Sequence, residues 1–336
     1  MPRPILRDEQ GDFRGGLNLA ADDVHVGENE VRRADEAVLT QYGAINKRLG
    51  SQYLNDSALS ASHAVQNGYT WLKDDGTEQL LAVVNGTLYQ ANYGIPTTWT
   101  AISGSLKTTG APSMVGFRDA TGEVVYIADG DTTNPALNKW NGTTLTTHMA
   151  STPTKITQIC LYNQRLFGIT GGDSKIYWSG LNNGDSLGVA ASGGGEAIIR
   201  TFGDQKITGL AVNGASLLVF HETGISKFTG LTQDDIAIAA GAQGVTNDVG
   251  CVAPRSIVST PDVVFFLSDR GFYAANESAV RPISLKLDPL IKSLDFATTE
   301  NVIGAHNRIA KEIWWYLPDK GIYRFNYALE IGRAHV

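Results

Sequence analysis

The sequence predicts an all-β chain built as a β-propeller of about six blades, either complete or cut short at its C-terminal end. Three observations carry this. Short β-rich runs punctuated by Gly, Asn and Asp dominate from about residue 64 onward. No stretch there keeps apolar residues at helical spacing for three turns. One hairpin pattern recurs along the chain.

Six hairpins can be laid in register. They are QLLAVVNGTLYQAN from Gln79, EVVYIADGDTTNPALNKWNG from Glu123, RLFGITGGDSKIYWSG from Arg165, SLLVFHETGISKFTG from Ser216, DVVFFLSDRGFYAAN from Asp262 and EIWWYLPDKGIYRFN from Glu312. Each has a run of about five apolar or aromatic residues, a polar turn with glycine, and a second strand carrying an aromatic. The blade-turn glycines are Gly86, Gly130, Gly172, Gly224, Gly271 and Gly321, spaced by 44, 42, 52, 47 and 50 residues. A period of about 40–50 is what a four-stranded blade needs. One such sheet cannot cover both its faces, but neighbours packed face to face can. The dipeptides Asn67-Gly68, Asp75-Gly76, Asn85-Gly86, Asp129-Gly130, Asn141-Gly142, Asn183-Gly184 and Asn213-Gly214 are hairpin signals, because both residue types tolerate positive φ. A β-sandwich, or an irregular all-β chain whose hairpins look alike by chance, is the competing architecture.

The first fifty residues differ. They are charged and carry no blade pattern, so the chain divides into an N-terminal arm (1–50), a propeller (51–329) and a terminal segment (330–336). Glu28 to Leu39 suits either a short helix, with Val31, Ala34 and Val38 on one face, or a strand at Glu36 to Thr40 pairing with Ala44 to Arg48. The strands are favoured. The last seven residues, Glu330 to Val336, read as translated sequencing-adapter DNA, which implies that the natural chain continues past Leu329. They are set aside from the fold reading.

Composition excludes several classes. Against 27 Lys and Arg stand 34 Asp and Glu, a net charge of −7. That balance disfavours a surface built to grip nucleic acid by its phosphates. The longest apolar runs, such as Leu80 to Val84 and Val263 to Leu267, fall far short of the roughly 20 residues that span a bilayer. The N-terminus lacks the apolar core of a secretion signal. Cys160 and Cys251 form no CxxC and read as two buried thiols of a reducing compartment.

No catalytic constellation stands out, and the chain reads as a non-enzyme with no cofactor and no metal. There is no P-loop, GxSxG or HExxH. Gly193-Gly194-Gly195 precedes no helix pattern and reads as a flexible loop. His25, His63, His148, His221 and His306 are scattered singly. The carboxylate pairs Asp22-Asp23, Asp74-Asp75 and Asp234-Asp235 are adjacent in sequence, so on a strand they face opposite ways and read as solvated loop charges. Ser268-Asp269-Arg270-Gly271 departs from the Asp-box of sialidase-like propellers and reads as a hairpin turn. Asn85-Gly86-Thr87 and Asn141-Gly142-Thr143 match the glycosylation pattern but coincide with turns.

Several stretches together carry a resemblance. FRGGLN (13–18), Gly27-Glu28 and GAINKRLG (43–50) are followed by IYWSGLNNGDSL (176–187), ITGLAVNGASLLVFHETGISKFTG (207–230), GCVAPRSIVSTPDVVFFLSDRGFYA (250–274) and RPISLKLDPLI (281–291). In order and spacing this resembles the tail nozzle and tail hub proteins of short-tailed bacteriophages, related to tail tubular protein B. The resemblance implies a virion structural protein of the tail or head–tail connector. It would be made in the host bacterial cytoplasm and assembled as a homo-oligomeric ring with other tail, adaptor or portal proteins. It implies a wall of the genome-delivery conduit, past which DNA moves without specific binding; the acidic balance suits that role. Family members are usually much longer. Gly15, Gly16, Leu17, Asn18, Lys47 and Arg48 are the candidates for arm contacts with a neighbouring subunit, or else they form the arm's own turn and strand. The alternative function is a carbohydrate-acting or glycan-binding propeller.

Overall fold

A computed structural model describes residues 12–22, 25–39, 44–47, 58–93, 98–150, 152–229, 243–328 and 334–335. Six four-stranded antiparallel sheets follow one another along the chain, the blades of a six-bladed β-propeller. Blade 1 has strands Val65–Leu72, Glu78–Val84, Thr87–Asn92 and Thr100–Ala101. Blade 2 has Ser113–Asp119, Gly122–Ala128, Leu137–Trp140 and Leu145–Thr146. Blade 3 has Gln158–Tyr162, Arg165–Ile169, Lys175–Trp178 and Gly195–Ile198, and blade 4 has Ile207–Asn213, Ser216–His221, Ile225–Phe228 and Gln243–Thr246. Blade 5 has Val258–Ser259, Val264–Ser268, Gly271–Ala275 and Val280–Pro282, followed by a short helix, Asp288–Lys292. Blade 6 has Ile303–Asn307, Glu312–Leu317, Gly321–Asn326 and Ala334–His335. The six hairpins read from the sequence are the two central strands of the six blades. The fourth strand of blade 6 falls inside the adapter-like segment that the sequence reading set aside.

The chain divides into two compact units. One holds residues 51–248 and the other residues 1–50 with 249–336. The first unit contains blades 1 to 4, and its core is a series of interblade layers. Trp71, Leu81, Val83 and Leu88 of blade 1 meet Val125, Ile127 and Trp140 of blade 2. The alternate residues of the same blade 2 strand, Val124, Tyr126 and Ala128, turn the other way onto Ile159 and Leu166 of blade 3. Phe167 and Ile169 of blade 3 then face Leu217, Val219 and Phe228 of blade 4. A strand covered on both faces must be apolar at every position, which is why these second strands read as unbroken hydrophobic runs. Phe167 packs edge-on to Tyr162 and Phe228, with centroids 5.7 and 6.0 Å away.

Side chains on the first strands tie blade 1 to blade 2 and blade 3 to blade 4. Asn67 Nδ2 donates to Pro112 O at 2.7 Å, and Tyr69 OH accepts from Gly116 N–H at 2.8 Å. The amide of Gln158 both accepts from Leu210 N and donates to Leu210 O. Tyr162 OH donates to Ala215 O at 2.7 Å. The Gly116 and Leu210 groups lie on first strands, at the free edge of their sheets, and the Pro112 and Ala215 oxygens lie just outside strands.

The second unit packs blades 5 and 6 with the arm. Phe272 stacks on Trp315 at 4.2 Å between centroids, and Trp315 Nε1 donates to Ser256 O at 3.0 Å. In the arm, Gly16–Leu17 pairs in parallel with Glu30–Val31. Ala37–Leu39 pairs antiparallel with Ile45–Lys47, Val38 opposite Asn46. The arm therefore takes the strand alternative rather than a helix at Glu28 to Leu39.

Several local expectations are corrected. Gly86, Gly130, Gly271 and Gly321 have φ of 74°, 69°, 127° and 98°. Gly172 and Gly224 lie in the central turns of blades 3 and 4 as read, without a positive φ; beside Gly172, Gly171 has a φ of 70°. Gly224 is instead held close to the Phe202 ring. Asn67-Gly68 lies within the first strand of blade 1 and makes no turn. The Gly193-Gly194-Gly195 segment is closely packed rather than loose, since a Cβ at Gly194 would come 2.2 Å from Ser186 O. Close backbone approach explains glycine at Gly194, and a φ of 79° explains it at Gly193.

Candidate functional site

The arm residues singled out from the sequence form a dock within their own unit. Gly15, Gly16, Leu17 and Asn18 are buried. Leu17 sits in one core with Leu287, Leu290 and Ile291 beside blade 5. Leu19 N–H and Ala20 N–H both donate to Lys286 O, at 2.8 and 3.1 Å. The Lys286 ammonium donates to Gly15 O at 3.2 Å and pairs with Glu30. Asn18 Nδ2 donates to the same Glu30 carboxylate at 2.6 Å. Burial pushes the Glu30 carboxyl up, but Lys286, Asn18 and the Gly27 N–H outweigh it and bring it down to about 2. Gly15 to Asn18 are covered within this chain, as the alternative in which they form the arm's own turn and strand has it. Lys47 is exposed, and Arg48 lies outside the described residues.

A second polar cluster joins blade 2 to the loop between the third and fourth strands of blade 3. Lys139 Nζ donates to Asp119 Oδ2 at 2.6 Å and to both Asp185 oxygens at 3.1 Å. Tyr126 OH donates to Asp185 Oδ1 at 2.5 Å. Lys139 and Asp119 side chains are 13% and 5% exposed, so the pair is largely dry. Burial raises the Asp119 carboxyl, and the Lys139 ammonium and Thr121 hold it below its ordinary value nonetheless. Burial, then Asp185 and Asp119, drive the Tyr126 phenol strongly up, so it stays a neutral donor. With cation, carboxylates and phenol mutually satisfied, the cluster fastens two blades and presents no free acid or base.

The other chemistry-bearing residues are engaged separately. Among the described residues no three His, Cys, Asp or Glu side chains come close enough to share a metal ion. Asp74 pairs with Arg118, while Asp75 accepts from Thr77 N–H and Oγ1–H. Asp22 lies against His25; Asp23, Asp234 and Asp235 fall outside the described residues. His221 is fully buried, edge-on to Phe202, with Nε2 3.0 Å from Ser226 Oγ. Burial lowers its basicity. Both cysteines are free, and burial pushes each thiol up to about 12, far from a reactive thiolate. A cavity of about 520 Å³ lies over Leu80, Ala82 and Val84 on blade 1, closed partly by Leu59, His63 and Trp99.

Sequence reasoning had no route to Lys286 or Glu30, which lie 256 residues apart. It had none to the Lys139 cluster either, whose members are separated by 20 and 46 residues.

No protein-family model matches the chain, and neither does any curated protein. Solved structures do. A functionally unknown protein from Desulfotomaculum acetoxidans DSM 771 is similar with a TM-score of 0.54 at 9% identity, over 83% of this chain and 86% of that one. The extracellular domain of the hybrid two-component system BT3049 from B. thetaiotaomicron is similar with a TM-score of 0.46 at 13% identity. That match covers 77% of this chain but 33% of the other, so the chain spans about a third of that protein's length. Virginiamycin B lyase from Staphylococcus aureus is similar with a TM-score of 0.49 at 9% identity, over 85% of each chain. At these identities the likeness concerns the fold alone.

Proposed function

We propose that this chain is a structural subunit of a short-tailed phage tail or head–tail connector, assembled as a homo-oligomeric ring that walls part of the genome-delivery conduit. One observation carries the reading. The two most distant stretches of the resemblance, FRGGLN (13–18) and RPISLKLDPLI (281–291), meet through Lys286, Gly15 and Leu17. Their meeting supports reading the two stretches as one unit of structure rather than as two separate matches. A passive role suits polar clusters whose charges are already paired within the chain, and a net charge of −7 disfavours retention of DNA in transit. Its partners would be further copies of itself and the adaptor, portal or other tail proteins.

Sedimentation of the protein alone and with the products of neighbouring genes tests the reading. A ring-sized assembly, in a gene neighbourhood with portal, capsid and terminase, is the expected result. A lone 36.0 kDa species beside those partners, or robust hydrolysis or binding of glycans, would overturn it in favour of a carbohydrate-directed propeller.

A further inference from the structure

Five asparagines precede glycine within the described residues: Asn67, Asn85, Asn141, Asn183 and Asn213. Such a pair can close on itself. The glycine nitrogen, after losing its proton to base, attacks the asparagine side-chain carbonyl carbon. Ammonia leaves with the former amide nitrogen, giving a five-membered imide. Water then opens the imide to aspartate or isoaspartate, so that one amide and one water become one acid and one ammonia. Three things are needed: an available glycine N–H, a free amide leaving group, and water at the site.

The fold removes one or more of these at four positions. Asn67 Nδ2 is committed to Pro112 O at 2.7 Å, and Gly68 N–H is committed to Asn67 Oδ1 at 2.9 Å. Gly86 is buried, and its N–H donates to Gln66 Oε1 at 2.8 Å. Gly184 is buried, and a Cβ placed there would come 2.4 Å from the Tyr126 ring, which keeps water from the site. Asn213 is only 4% exposed.

Asn141-Gly142 is different. Asn141 is exposed, and neither its Nδ2 nor the Gly142 N–H makes a hydrogen bond to a described residue. Its Oδ1 accepts from Thr143 N–H at 2.9 Å, Thr143 Oγ1–H at 2.9 Å and Thr144 N–H at 2.7 Å. When the nitrogen attacks, negative charge develops on that oxygen, and three donors already point at it. This is the arrangement by which preorganised donors lower the barrier of acyl chemistry. Asp75-Gly76-Thr77 repeats the same turn with a carboxylate. Thr77 holds the Asp75 acid below its ordinary value. An ionised carboxylate is a poor electrophile, so that turn resists.

We propose that Asn141 is the preferred deamidation site of the folded protein, selected by the blade 2 turn. The consequence is local and directional. Isoaspartate lengthens the main chain by one carbon and adds a charge in the turn joining Leu137–Trp140 to Leu145–Thr146. The outer strand of blade 2, with Leu145 in the blade 1–blade 2 core, is what such a change loosens.

The test uses the intact chain incubated at mildly alkaline pH, with peptide mass spectrometry and an isoaspartate-specific readout at all five sites. Conversion at Asn141 is expected about tenfold faster than at any of the others, the ratio that about 1.4 kcal/mol of barrier gives. In concentrated urea the five rates should draw together, because the fold and not the dipeptide sets the ranking. Thr143→Val, which deletes one donor to Oδ1, should slow conversion at Asn141 in the folded chain. Equal conversion at Asn67, Asn85, Asn183 or Asn213 in the folded chain would overturn the proposal. So would a tenfold preference for Asn141 that survives unchanged in urea.

Discussion

Lys139→Met is the substitution that most sharply separates a fastening cluster from a decorative one. It removes the ammonium and keeps most of the side-chain volume. Asp119, 5% exposed, loses its ion pair and keeps the Thr121 N–H and hydroxyl donors and a longer bond from Tyr126 OH at 3.3 Å. Stranding one member of a buried pair costs about 3–5 kcal/mol. The surviving Thr121 bonds and the half-open Asp185 reduce that to about 2–4 kcal/mol. Urea unfolding followed by tryptophan fluorescence reads the loss as a fall in midpoint at unchanged slope. The pH dependence adds a signature. In the native chain the Asp119 acid is held low, so its contribution is present above its unfolded value and lost as pH falls through its folded one. Without Lys139 burial dominates and raises that acid, so the variant's deficit should shrink as pH falls and Asp119 protonates. Asp119→Asn in the Lys139→Met background should recover much of the loss, because a neutral amide in the same place is far cheaper to bury. A loss below about 0.5 kcal/mol, typical of a surface change, would refute the reasoning. So would a deficit that deepens on acidification.

Three further expectations follow from other parts of the chain. The Glu30 acid is held at about 2, so the arm's anchorage to Lys286 is complete above about 4.5 and lost as pH falls toward 2; limited proteolysis across that window should show residues 12–31 opening before the blades, and Glu30→Gln should show the same opening at neutral pH. His221 is held below its ordinary basicity, so its contribution is full above about 6.5 and lost as pH falls from there; His221→Gln should flatten thermal stability between pH 7 and pH 5, and an unchanged slope would contradict this. Gly194→Ala drives a methyl against Ser186 O and Trp178 O, both backbone, and should cost about 1–3 kcal/mol in urea melts, where a flexible loop would show nothing.

Much of the fold was legible because the blades enforce a local pattern. The second strands of blades 1 to 5 are buried on both faces, so runs such as Val124 to Ala128 and Leu217 to Phe220 advertise themselves without alternation. Turns were legible where glycine carries the positive φ, as at Gly86 and Gly321. They were silent where other residues do so. Asn163 and Gln164 make the turn between the first two strands of blade 3 with φ of 47° and 57° and no glycine at all. First strands read poorly because half their work is polar: Gln158 and Asn67 are spent on the backbone of the next blade, a role with no sequence signature. The arm dock was half visible. Gly15 to Asn18 stood out as a motif, but their partner Lys286 lies 271 residues from Gly15, and nothing in either stretch names the other. That is why the sequence left a neighbour contact and the arm's own turn and strand both open.

The account stands on propeller subunits arranged as a passive wall around a passage. A cryo-electron microscopy reconstruction of the particle that contains this protein tests it directly. The account predicts a closed ring of copies below the portal, each with six four-stranded blades and its arm held at Lys286, lining a channel wide enough for duplex DNA. Copies absent from the particle, or present singly with a glycan bound among their blades, would contradict it.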